Sequence, residues 1–85
     1  MTALEQCITL CTECAGRFRL GRSVEAGLDM VDAFQSAGDH LGQRSPDEQQ
    51  QWVQLLTMML ACQQAQDWLG LADYMEYELV ELLRG

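Results

Sequence analysis

Ser45-Pro46-Asp47-Glu48-Gln49-Gln50-Gln51-Trp52-Val53-Gln54-Leu55-Leu56-Thr57-Met58-Met59-Leu60-Ala61-Cys62 opens as a helix start and runs into an almost unbroken apolar segment. A serine able to cap, a proline with preset φ at the first helical position, and a glutamate able to close a capping box follow one another in the order of a helix N-terminus. Helix three therefore begins at this point. Between Trp52 and Cys62 only Gln54 and Thr57 interrupt the apolar residues. A helix that is apolar nearly all round is either central to its domain or shared with another polypeptide.

Upstream, a first helix is expected from about Thr2 to Leu20, with Leu4, Cys7, Ile8, Cys11, Cys14, Ala15 and Phe18 forming one stripe at three-and-four spacing. Gly21 is a natural stop, and Ser23 offers a hydroxyl to cap a second helix. That helix should span about Val24 to Leu41. Its apolar face is read as Val24, Leu28, Val31, Phe34 and Leu41, with Glu25, Asp29, Asp32 and Asp39 largely on another face and Gly42 at the end.

Downstream, the stripe Trp52, Leu55, Leu56, Met59 does not continue in phase into Trp68, Leu71, Ala72, Met75, Leu79, Leu82. The phase slip predicts a break near Gln64 to Asp67, with Asp67 as cap and a fourth helix from about Trp68 to Arg84. Four amphipathic helices on short connections predict a single all-α domain over residues 1–85. The favoured arrangement is an antiparallel up-and-down four-helix bundle, two helical hairpins in sequence. Trp68-Leu69-Gly70-Leu71 is superficially like the start of a tetratricopeptide unit, but no repeat of fixed length accompanies it.

The charge balance restricts the partners. Thirteen carboxylates face five arginines, with no lysine, for a net charge of -8. Such a field repels phosphate backbones and anionic membranes, so neither nucleic acid nor membrane is expected as a partner. The one cationic cluster, Arg17, Arg19 and Arg22, complements the dipole at the end of helix one. No stretch reaches the roughly 20 apolar residues that a bilayer span needs, and the N-terminal residues lack the pattern of a signal peptide. A cytoplasmic protein with reduced cysteines is the expectation.

Cys7, Cys11 and Cys14 have the C-x3-C-x2-C spacing that holds iron-sulfur clusters in radical S-adenosylmethionine enzymes, but those enzymes place it in a loop of a much larger barrel. The stretch from Cys7 to Ala15 also resembles one unit of the cysteine-rich four-helix copper proteins. That resemblance implies Cys7, Cys11, Cys14 and Cys62 as thiolate ligands for copper or zinc. The competing reading makes the same cysteines small buried hydrophobes on the stripe of Leu4 and Phe18. His40, the one histidine, sits beside Asp39 near a helix end, where a dipole contact explains it. No nucleophile, phosphate or metalloprotease motif occurs, so no catalytic residues and no cofactor are assigned.

The last helix places Asp73, Glu76, Glu78 and Glu81 among Tyr74, Met75, Tyr77, Leu79, Leu82 and Leu83. The plain reading is a solvated acidic face. The sharper one is an acidic groove, edged by the two tyrosines, that receives a basic amphipathic helix. Its segment Asp67 to Leu79 resembles the closing helix of small acidic bacterial proteins, some of them similar to flagellar and type III export chaperones. The resemblance implies a non-enzymatic, chaperone-like or adaptor module. Combined with helix three, it gives an expected partner-binding surface of Trp52, Val53, Leu56, Met59 and Leu60 with Tyr74, Tyr77 and Glu78, covered by a partner helix or by a second copy in a homodimer.

Overall fold

The computed structural model describes residues 2–85, and every regular element among them is helical. They are α1 (Ala3–Arg19), α2 (Ser23–Leu41), α3 (Pro46–Gln64) and a C-terminal rod made of α4 (Trp68–Asp73), a π-helical turn (Tyr74–Leu79) and α5 (Val80–Arg84). No helix among the described residues is long and apolar enough to cross a membrane.

Local chemistry sets the boundaries. Thr2 caps α1, its hydroxyl accepting from the Glu5 amide at 3.1 Å, and Ser45 caps α3 in the same way from the Glu48 amide at 3.3 Å. α1 ends at Gly21, whose φ of 78° lets the Arg22 amide reach back to the Arg17 carbonyl at 2.9 Å and the Gly21 amide to that of Phe18 at 3.1 Å. Ser23 is the first residue of α2 rather than its cap; Arg22 holds that position, and no side chain bonds there.

The break after α3 falls where the phase slip placed it. Asp67 accepts from the Gly70 amide at 3.0 Å, and the Asp67 amide donates to the Cys62 carbonyl at 2.8 Å. This closure repeats the one at Gly21, yet here the left-handed position, φ 58°, is held by Gln66. A side chain with a Cβ is strained there. Gln66→Gly is expected to raise stability by about 1 kcal/mol, read as a higher midpoint in urea; an unchanged or lower midpoint would show that the Gln66 side chain offsets its own strain.

α1 packs against α2 and against the C-terminal rod, which α3 covers from another side. Cys7, Cys11, Cys14, Ala15 and Phe18 of α1 meet Ala26, Met30, Ala33, Ala37 and Leu41 of α2 in one core. Small residues on both helices let the backbones approach closely, and the Cys14 thiol donates to the Ala26 carbonyl at 3.2 Å. The buried face of α2 is therefore the alanine face. Of the residues read from sequence as its apolar face, Leu41 is buried and Phe34 half-buried, whereas Val24, Leu28 and Val31 are exposed.

Of the two positions open to α3, the centre is not the one it takes: it contributes Leu55 and Met59 to the fully buried core, with Trp52, Leu56 and Cys62 partly buried against it. The C-terminal rod supplies Leu71, Met75, Leu79 and Leu83, a row with a residue every four positions. An α-helix would rotate such a row by about 40° per step. The wider π turn counteracts the drift and keeps the row facing inward.

Aromatic and ionic contacts fasten the ends. Phe18 stacks on Trp68 with centroids 5.5 Å apart, and Trp52 meets Phe34 edge-on at 6.1 Å. Arg44, in the α2–α3 connection, donates to the carbonyl of Leu83 at 2.6 Å, an orphan acceptor at the end of the rod, and to that of Leu82 at 3.3 Å, which also accepts from the Gly85 amide.

Candidate functional site

An open groove of about 630 Å³ runs between α3 and the C-terminal rod. Leu55, Met58 and Leu82 give it an apolar lining, Tyr77 edges it, and Glu78 and Glu81 stand on its acidic side. The turn geometry builds this arrangement. While Leu79 and Leu83 point into the core, Glu78, Glu81 and Leu82 fall on the side turned toward α3. On the α3 wall, Glu48 is paired with Arg44 at 2.9 Å. Glu78 and Glu81 are exposed and take part in no ion pair among the described residues.

Arg19 braces the same rod. Its guanidinium bonds Asp73 at 2.8 Å and Glu76 at 3.0 Å and lies 5.9 Å from the centre of the Tyr77 ring. The hydrogen bond to Asp73 is the main reason its pKa is raised. The Glu76 carboxylate, by hydrogen bonding, raises that of the Tyr77 phenol. A second, shallower pocket of about 500 Å³ contains Cys62, Asp67, Tyr74, Tyr77 and Glu78. Burial and then Asp67 raise the Cys62 thiol pKa.

The expected partner-binding residues thus divide. Tyr77 and Glu78 line the groove, and Tyr74 joins them in the second pocket. Val53 and Leu60 are exposed on α3 at 59% and 39% but line neither. Trp52 and Leu56 are half-buried, Trp52 held by Phe34 and lying over Gly38. Met59 is a correction: it is fully buried and cannot touch a partner. Glu81 and Leu82, part of the acidic helix read as a groove wall, line it as well, whereas Leu55 and Met58 are groove residues that the sequence pattern does not single out. Their signal was the pairing of α3 with the last helix, which no single-helix pattern contains.

The thiolate-metal alternative does not assemble either. Cys7, Cys11 and Cys14 are buried in the α1–α2 interface, Cys62 lies in the second pocket, and no three His, Cys, Asp or Glu side chains among the described residues form a group able to hold a metal ion. Burial is the main reason the Cys11 pKa is raised to about 12 and the Cys14 pKa to about 11, with Cys7 assisting at the first and Asp29 at the second. A metal would have to displace those protons as well as the packing.

Comparison of the chain with protein-family models, with curated proteins and with solved structures gives no match.

Proposed function

We propose that this protein is a non-enzymatic binding module, an adaptor or chaperone-like protein, whose groove between α3 and the C-terminal rod receives a basic amphipathic helix of another protein. The observation that carries the reading is the combination of an apolar lining, Leu55, Met58 and Leu82, with the unpaired carboxylates of Glu78 and Glu81. A helix laid in such a groove buries its apolar stripe on the leucines and methionine. Lysines or arginines at its edge meet the glutamates. Met58 suits this role because a flexible thioether repacks around different side chains. The segment Asp67 to Leu79 resembles the closing helix of small acidic bacterial proteins, some of them similar to export chaperones, and that resemblance is in keeping with covering a client helix. Short connections between successive helices favour the antiparallel up-and-down arrangement, which sets α3 and the rod side by side along the groove.

The test is a titration with a synthetic amphipathic helix edged by lysine, followed by NMR. The Met58 methyl and the Tyr77 ring are expected to shift, and Glu78→Lys with Glu81→Lys should weaken binding at low salt by about tenfold or more. A peptide that binds without moving Met58 and Tyr77, or that ignores the double charge reversal, would remove the groove from consideration.

A further inference from the structure

α2 carries a second apolar surface that the groove does not use. Val24, Leu28 and Val31 are exposed at 80%, 71% and 62%, and their spacing of four and then three residues is that of a coiled-coil seam. Gln35 continues it by the next step of four. Along one edge of this seam Glu25, Asp32 and Asp39 recur every seven residues, each next to a seam position or one heptad beyond it. All are exposed, and none takes part in an ion pair among the described residues. Along the other edge lies Gly27, where a side chain would meet nothing within 4 Å, leaving room for a neighbour to approach closely.

We propose that this face of α2 is a docking seam for a helix of another protein that carries Leu, Ile or Val at its own seam positions and Lys or Arg along the flank. Charge decides the occupant. If two copies of α2 paired antiparallel, the acidic edges of both would fall on the same side and face one another, so like charges would line the contact. In a parallel pair the acidic edge would face Gly27 and Phe34 of the other copy, which offer no cation. A second copy of this chain is therefore the wrong partner, and a basic helix is the complementary one. None of these residues lines the groove, so the surface stands independently of the reading given for it. A chain with both surfaces can hold two basic helices at once.

The probe is a designed peptide of about three heptads, with Leu and Ile at the seam and Lys along both flanks. It is titrated into the intact protein with the valine and leucine methyls observed by NMR. The methyls of Val24, Leu28 and Val31 are expected to shift. Leu28→Asp should weaken this event by about tenfold or more, and a scrambled peptide of equal charge should leave those methyls unmoved. The triple variant Glu25→Lys, Asp32→Lys, Asp39→Lys should lose the Lys peptide and gain its Glu-flanked counterpart. These exposed positions leave the fold intact, which far-UV circular dichroism verifies. Groove variants should not alter the α2 shifts, so failure of one surface is read separately from failure of the other. The inference is overturned if the α2 methyls do not move, if the triple variant keeps its preference for lysine, or if sedimentation reveals a dimer of the chain that Leu28→Asp dissociates.

Discussion

Met59→Asp is expected to unfold the chain, while Leu60→Asp, one residue further along the same helix, leaves it folded. Met59 has no solvent exposure and is one of only two α3 side chains fully in the core, whereas Leu60 is 39% exposed. Removing a buried methionine costs about 2–5 kcal/mol, and an unpaired buried carboxylate adds several more unless it takes up a proton. The whole stability of a domain this size is about 4–13 kcal/mol, so the sum is comparable with all of it. Far-UV circular dichroism with thermal melting distinguishes the two variants. A cooperative Met59→Asp melt at the wild-type temperature would mean that α3 does not pack on the rod as described. The contrast separates folding from surface effects: of the two neighbours only Leu60 can take a charge without unfolding the chain, and because it lines neither pocket its substitution should also leave groove binding unchanged.

Periodicity alone puts Met59 on a surface and Val24, Leu28 and Val31 in the core, because it identifies stripes without saying which of them another helix covers. α2 has two stripes at helical spacing. One is large, Val24, Leu28 and Val31; the other is mostly small, Ala26, Met30, Ala33, Ala37 and Leu41. Ranking by hydrophobicity selects the first. Packing selects the second, because the facing residues of α1, Cys7, Cys11 and Cys14, are themselves small and admit a close helix pair. The decisive information lies in the match between two helices and is absent from either alone. The same holds for α3, whose all-round apolarity is compatible with a central or a shared position and is resolved only by where the other helices lie. Features encoded by a few adjacent residues were legible: the Ser45-Pro46 start, the stop at Gly21, and the break at Asp67 all occur as local chemistry dictates. The π turn was not, although the every-four row Leu71, Met75, Leu79, Leu83 was its trace in the sequence.

The close α1–α2 pair also makes the fold sensitive to alkali. In the unfolded chain Cys11 and Cys14 titrate near 9.0, but in the folded protein Cys11 holds its proton to about 12 and Cys14 to about 11. Burial is the main cause at both; at Cys14 the bond donated to the Ala26 carbonyl also requires the proton to stay on sulfur. Because the folded values lie above the unfolded ones, the stability tied to these protons is complete below pH 9.0 and declines as pH rises toward about 11 and then about 12. The melting temperature should therefore fall steeply from about pH 9 upward. Cys11→Ala with Cys14→Ala should start from a lower melting temperature, since small cavities open between α1 and α2, and then fall with a shallower slope. Parallel slopes for wild type and the double variant would assign the alkaline transition to other groups, and the thiols would have no part in it. Thiol-reactive dyes give a second check on the same physics: at neutral pH half-buried Cys62 should react first, and Cys11 and Cys14 only as fast as the helix pair opens.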